Sequence, residues 1–239
     1  MSFAYNEERV LKDINFKIEA GNTAAIVGPT GSGKTTLINL MLRLIDSTSG
    51  TIFLDENNIR SIRLKVLRKN IGYVPQETFL FSDTIEENIS FGVNNPEFKE
   101  IDWAAKISTI RDDLMNFPDK YQTLIGERGV NLSGGQKQRT AISRALLKKP
   151  KILILDDALS SVDTYTEEKI LTSFKENNYQ QTNLIISHRI SSVKHADIIF
   201  VLLKGEIIEQ GTHDELIDKR GFYAELYQQQ LLEAALEEL

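Results

Sequence analysis

The run Gly28-Pro29-Thr30-Gly31-Ser32-Gly33-Lys34-Thr35 has the spacing G-x-x-x-x-G-K-[ST]. Each residue type in it has a chemical reason. The glycines let backbone N–H groups converge on phosphate oxygens. A helix opening at Lys34 adds the partial positive charge of its N-terminus. Lys34 is then placed to reach the β- and γ-phosphates of ATP, and the Thr35 hydroxyl to ligate Mg²⁺. Thr36, next in the run, completes the candidate nucleotide-contacting set.

A second acidic site follows downstream. Ile152-Leu153-Ile154-Leu155-Asp156-Asp157 is an apolar strand that delivers two carboxylates at its C-terminal end. In open α/β sheets that edge is where ligands sit. Asp156 suits Mg²⁺ held through water, and Asp157 suits orienting or deprotonating an attacking water. A strand followed by an Asp-rich turn would look the same in isolation. The phosphate loop upstream favours the functional reading.

These groups need elements to hold them. Thr23–Val27 reads as a short buried strand entering the glycine loop, and Lys34–Leu44 as the helix leaving it. Ile14, Phe16 and Ile18 alternate with polar residues, which predicts a half-exposed strand ending at Gly21. Further strands are expected at Thr51–Leu54, Ile71–Val74, Ile152–Leu155 and Leu184–Ile186, with a short helix at Ile62–Asn70. Thr84–Phe117 has a helical pattern interrupted around Gly92–Pro96. Helices are also expected over Gly134–Leu147 and Asp163–Asn177. Ile198–Leu203 and Glu206–Glu209 flank Lys204-Gly205 as a hairpin, and Thr212 with Glu215 forms a capping box opening a helix to Lys219. Gly221–Leu239 is a final amphipathic helix.

Uniformly apolar strands alternating with helices imply an α/β fold with a mostly parallel sheet covered on both faces. The expected architecture is one domain over residues 1–239, of P-loop NTPase class. It carries an N-terminal antiparallel β subdomain and a helical subdomain inserted at about residues 78–147.

Composition narrows the function. With 41% apolar and 26% charged residues in 239, the chain can bury a sizeable core. The net charge is −6, from 28 basic and 34 acidic residues, with no basic tract to suggest nucleic acid. Cysteine is absent, which excludes disulfides, thiolate metal sites and a Cys nucleophile. No apolar run reaches the about 18–20 residues that span a bilayer, and no signal peptide is read at the N-terminus. The expectation is a chain soluble as given. A first strand within a few residues of the start fits a domain excised from a longer protein.

The stretch Leu132-Ser133-Gly134-Gly135-Gln136, continuing as Lys137-Gln138-Arg139 into a helix, resembles the signature sequence of ABC ATPases. A Ser-Gly-Gly turn at a helix start is itself an anion-binding design, although a plain helix cap would read alike. Other pieces fall in that family's order. Tyr5 resembles the aromatic that stacks on adenine. Gln76, after Ile71-Gly-Tyr-Val-Pro, resembles the Q-loop glutamine that senses Mg²⁺ and the attacking water. Ser160-Ser-Val-Asp163 is similar to the D-loop. His188, after Leu184-Ile-Ile-Ser, resembles the switch histidine that contacts the γ-phosphate. Thr123-Leu-Ile-Gly-Glu-Arg-Gly129 resembles the X-loop of exporters, which couples to transmembrane segments and is generally missing from importers. His195 and His213 have no such support and are read as surface or capping residues.

The resemblance implies the ATPase domain of a multidrug- or lipid-type ABC exporter at the cytoplasmic face of a membrane. Two such domains pack head to tail, so Ser133, Gly135 and Gln136 would serve the nucleotide bound by a partner. The transmembrane domain would be a further partner. A soluble ABC ATPase, an importer ATPase and a purely regulatory ATP-binding module are the competing classes. The family usually has Glu where this chain has Asp157. The side chain is shorter by roughly 1.5 Å of reach, and a misplacement of ~1 Å can cost on the order of 100-fold. Two readings stay open: a homodimer with a weakly active site, or the degenerate-site half of a heterodimeric exporter. Asp157 beside an intact Leu132–Gln136 favours the second. The C-terminal stripe Phe222, Leu226, Tyr227, Leu231 and Ala235 is expected to dock on its own domain.

Overall fold

The computed structural model describes residues 1–126, 129–176 and 181–237. Glu127 and Arg128 of the X-loop, Asn177 of an expected helix and the last two residues of the final helix lie outside the described residues. The chain divides into two compact units: Met1–Ile71 with Thr182–Leu239, and Gly72–Gln181.

In chain order the first stretch holds β1 (Phe3–Tyr5), β2 (Glu8–Leu11), β3 (Thr23–Val27), α1 (Lys34–Met41), β4 (Phe53–Leu54), β5 (Asn57–Asn58) and α2 (Leu64–Asn70). Then come β6 (Ile71–Val74), α3 (Ile85–Ser90), α4 (Phe98–Ile107), α5 (Arg111–Asn116), α6 (Gly134–Leu147), β7 (Ile152–Asp156) and α7 (Thr164–Glu176). The chain ends with β8 (Thr182–Ser187), β9 (Ile198–Leu203), β10 (Glu206–Gly211), α8 (His213–Asp218) and α9 (Phe222–Glu237).

In the first unit the strands run β10-β9-β3-β8. β3 is parallel to both β8 and β9, and β10 returns antiparallel to β9. Every residue of β3 is buried, as a strand covered on both faces requires. The β9–β10 turn has positive φ at Lys204 (φ 49) and Gly205 (φ 82). That pattern matches the twist of the strands it joins. A separate antiparallel ribbon, β1 with β2, supplies the N-terminal β element.

One expected strand is corrected. Ile14–Ile18 lies in no ladder among the described residues. The alternation of burial is present all the same. Ile14 is buried, Asn15 and Lys17 are exposed, and the Phe16 ring packs on Phe200 at 4.7 Å between centroids. Period-2 burial reports an extended backbone lying on a surface; a ladder also needs a partner with unpaired N–H and C=O groups. The strand expected at Thr51–Leu54 is reduced to Phe53–Leu54.

α9 is docked at its start. The Glu209 carboxylate accepts from the N–H groups of Phe222 (2.7 Å) and Tyr223 (3.2 Å), capping the helix from β10. Tyr223 is fully buried, and its hydroxyl meets His213 Nδ1 at 2.8 Å. His213 is therefore a structural link from α8 to α9, while Thr212 is the α8 cap, in the expected capping box with Glu215. The stripe docks only in part, because Leu231 is exposed.

In the second unit β6 and β7 are neighbours, and α6 packs against α3 and α4. Arg144 on α6 ties this unit together. Its guanidinium donates to the Asn88 carbonyl (2.7 Å), Asn88 Oδ1 (2.9 Å) and the Phe79 carbonyl (2.9 Å). No helix of the described residues is long and apolar enough to cross a membrane.

The α9 cap makes a testable statement about stability. Glu209→Ala should destabilise the chain by about 1–2 kcal/mol, read as a lower urea midpoint with an unchanged slope.

Candidate nucleotide-binding site

The glycine loop sits between β3 and α1 in the first unit. Gly28 is buried, and Pro29, Thr30 and Gly31 are exposed. Gly33 forms the start of α1 with φ 108. A Cβ there would lie 2.7 Å from Leu11 Cδ2, so β2 packs directly against the loop and only glycine fits. Lys34 folds back and donates from Nζ to the carbonyls of Gly28 (2.7 Å) and Pro29 (2.9 Å). Thr35 is exposed, so its hydroxyl lies at the surface; Thr36 is buried at 9% exposure, which leaves its backbone N–H as its means of contact.

Two observations test whether a phosphate group fits here. The first is that α1 has no side-chain cap and no acidic residue in its first turn. The leading N–H groups of a helix need an acceptor, and here the N-cap residue is a glycine with no side chain to provide one. The second is Ser32, 3% exposed, whose Oγ has no hydrogen-bond partner among the described residues. A buried hydroxyl without a partner costs about 1–3 kcal/mol and points to a missing ligand atom or water. Donors without acceptors, beside an ammonium, fit a polyanion.

Tyr5 ends β1 and is 47% exposed, so it is not a core aromatic; its ring packs edge-on against Phe3 at 4.7 Å. His188 follows β8 directly and is exposed. His195 is exposed as well.

The second unit carries the acidic site. Asp156 and Asp157 are buried, at 6% and 8% exposure. Gln76 is exposed just beyond β6. Tyr73 on β6 donates from its hydroxyl to Asp156 Oδ2 at 3.2 Å. Burial, reinforced by the Asp156 carboxylate, pushes the Tyr73 pKa up to about 12. The phenol therefore stays a neutral donor across the physiological range and orients Asp156. Sequence reasoning quoted this tyrosine within its motif and gave it no role. Asp157 has φ 45, a left-handed conformation that Asp tolerates better than most side chains. Its carbonyl accepts from the Ser160 N–H at 3.1 Å, which turns the chain into the D-loop.

The signature turn is built as a capping box. Ser133 Oγ accepts from the Gln136 N–H at 3.2 Å, and Gln136 Oε1 accepts from the Ser133 N–H at 3.0 Å. Gln136 Nε2 donates to Asp113 Oδ1 at 2.9 Å, so its amide is engaged at both ends. Arg139 Nη1 holds the other Asp113 oxygen at 2.7 Å. Ser133 keeps its own hydroxyl proton available for donation, and its side is exposed. A Cβ on Gly135 would lie 2.8 Å from the Ser161 carbonyl, so the D-loop backbone packs on the signature. Gln138, 3% exposed, joins the two: Nε2 donates to Ser160 Oγ (3.0 Å) and Oε1 accepts from the Ser161 N–H (2.9 Å). Asp113 and Gln138 were not legible as site residues. Gln138 stands in the Lys137-Gln138-Arg139 stretch, but its partners Ser160 and Ser161 lie 22 and 23 positions away.

Among the described residues no cluster of three or more His, Asp or Glu could hold a metal alone. Mg²⁺ characteristically binds through one or two carboxylates together with substrate phosphates, so its binding does not require such a cluster.

A buried strand, a glycine turn and a helix left uncapped around a lysine place the fold among P-loop nucleoside-triphosphate-binding proteins. The chain belongs to the ABC transporter family, whose model matches residues 11–160. It is 46% identical over 233 residues to the ATP-dependent lipid A-core flippase of Syntrophus aciditrophicus (strain SB), covering 98% of this chain and 39% of that protein. A Staphylococcus aureus (strain NCTC 8325 / PS 47) protein, provisionally named for multidrug export as an ATP-binding/permease protein, is 48% identical over 229 residues, covering 95% of this chain and 40% of the relative. The structure of a bacterial Atm1-family ABC exporter with ATP bound superposes with a TM-score of 0.91 at 41% identity, over 96% of this chain and 41% of that one. The chain thus spans about two fifths of the length of the relatives it matches.

Tyr73→Phe removes the donor that orients Asp156 and keeps the ring. The expected result is an about 10-fold rise in the Mg²⁺ concentration for half-maximal hydrolysis, with metal-free ATP binding unchanged. A Mg²⁺ titration of the two proteins measures it.

Proposed function

We propose that this chain is the ATPase domain of an ABC exporter of drugs or lipids. In this reading it binds MgATP in the Gly28–Thr36 loop and works as half of a head-to-tail pair at the cytoplasmic face of a membrane. The observation that carries the reading is the contrast between two helix starts. α1 leaves its N–H groups without a side-chain cap, whereas α6 satisfies its own from within the signature turn. The first is a complete phosphate cradle. The second is a rigid, exposed turn whose Ser133 hydroxyl faces outward to complete another chain's nucleotide. Gly135 contributes by allowing the D-loop to pack close, and Gln136 by bracing the turn through Asp113.

Bound MgATP supplies the phosphoanhydride that water splits. Lys34 would exchange its two carbonyl partners for phosphate oxygens, and Tyr5 would cover the adenine. Thr35, Asp156 and Gln76 would hold Mg²⁺, with Asp156 kept in orientation by Tyr73. His188 would donate to the γ-phosphate. Asp157 would orient the attacking water from a shorter arm than Glu, which lowers the rate at this chain's own site.

Two features support a membrane-domain partner. Phe79, Phe81 and Phe91 are 68%, 38% and 55% exposed, yet the Arg144 guanidinium sits 5.6 Å from the ring centres of both Phe81 and Phe91. Exposed aromatics held rigidly mark an interaction surface. Beside them a cleft of about 790 Å³ is lined by Phe81, Asp83, Glu86, Phe91 and Pro96, among others. The described part of the X-loop is fixed to the same rim, where the Ile85 N–H donates to the Thr123 carbonyl (3.1 Å) and the Ile125 N–H to the Asp83 carbonyl (3.0 Å).

Asp157 with an intact signature favours the degenerate-site subunit of a heterodimer. A second reading, an ATP-holding module that stabilises a dimer with little turnover, rests on the same residue.

Two measurements test these statements. Lys34→Ala should weaken ATP binding by at least about 10-fold in equilibrium titration, and unchanged affinity would sink the phosphate-loop assignment. Asp157→Glu should raise the hydrolysis rate on the order of 100-fold, with a small loss of stability from the left-handed backbone at 157. Equal rates for the two proteins would remove the degenerate-site reading.

A further inference from the structure

His188 presents its imidazole from an exposed position just past β8, yet the backbone around it is held tightly. Gln230 of α9 grips it from both sides. Its Nε2 donates to the His188 carbonyl at 2.6 Å, and its Oε1 accepts from the Ile190 N–H at 2.8 Å. The partners dictate the amide's orientation, since a carbonyl needs the NH₂ and an N–H needs the oxygen. Between them the Arg189 N–H donates to Ser187 Oγ at 3.0 Å. Three successive backbone positions around the histidine each have a side-chain partner.

The helix that supplies Gln230 is itself anchored. Its N-terminus is capped by Glu209, and the buried Tyr223 is bonded to His213. The His213 ring also packs edge-on against Tyr227, at 5.1 Å. Tyr223, Tyr227 and Gln230 follow one another at spacings of four and three, which places them on one helical face. One rigid element therefore runs from the α8–α9 anchor to the loop carrying the histidine. A post-strand loop without such a tether samples many conformations.

We infer that Gln230 is a positioning residue for His188, and that the C-terminal helix sets the geometry in which the imidazole meets the γ-phosphate. The inference rests on the reading of His188 as the switch histidine. Its physical basis is the tolerance of such contacts, in which a displacement of ~1 Å can cost on the order of 100-fold in rate. Loss of the amide leaves the glycine loop and Lys34 untouched. It therefore acts on the chemical step and spares ATP binding.

The test is single-turnover hydrolysis with the chain in excess over MgATP. It compares wild type, Gln230→Leu, His188→Ala, the double variant, and Gln228→Leu as an exposed control on the same helix. Gln230→Leu should slow hydrolysis about 10-fold while the ATP Kd stays within about twofold. Gln230→Glu keeps the oxygen for Ile190 and loses the donor for His188, so its rate should fall in between. Gln228→Leu should match wild type. The double variant should be no slower than His188→Ala, because positioning has no effect once the imidazole is gone. A double variant slower than His188→Ala by the full Gln230 factor overturns the inference, since a merely structural role would add. If His188→Ala loses hydrolysis and Gln230→Leu does not, the inference alone fails. If His188→Ala hydrolyses at the wild-type rate, the switch reading fails and the inference falls with it.

Discussion

The start of an α-helix carries N–H groups that must find acceptors, and the first unit of this chain withholds them at α1. Neither a side-chain cap nor an acidic residue serves that terminus. Leu11 seals one side of Gly33, so the turn has no room for a side chain that could supply one. Lys34 meanwhile spends its charge on two backbone carbonyls. The loop is thus a concentration of donors at an uncapped helix start, and the buried strand behind it holds that arrangement rigid. Binding a polyphosphate follows from this one constraint.

α6 solves the same problem in the opposite way. Ser133 and Gln136 cap each other, and Asp113 of α5, held by Arg139 of α6, fixes the cap from outside the helix. The benefit is rigidity in a turn that glycine would otherwise leave loose. Gln138 then extends this rigidity into the D-loop through two hydrogen bonds. Signature and D-loop behave as one piece because a buried glutamine amide has both its donor and its acceptor satisfied there.

Legibility from the sequence followed the range of the interactions. β3, β6 and α6 have the bounds expected of them, as does the capping box at Thr212, because local pattern and local chemistry set them. In the segment Ile14–Ile18 apolar and polar residues alternate as in a strand, but pairing is not a local property and the segment joins no ladder among the described residues. Tyr73 was invisible as an orienting group because Asp156 lies 83 positions away. Gln230 was equally hidden, reaching His188 across 42 positions.

The residue order alone determined the phosphate chemistry, since G-x-x-x-x-G-K-T between an apolar strand and a helix specifies a donor-rich loop. It also determined the departure at Asp157, a matter of one methylene. Only the tertiary structure decided which groups hold the chemistry in place. Tyr73 orients Asp156, Asp113 braces the signature turn, and the last helix grips the loop at His188. Those contacts join residues far apart in the chain, and their geometry exists only once buried strands and helix faces have packed.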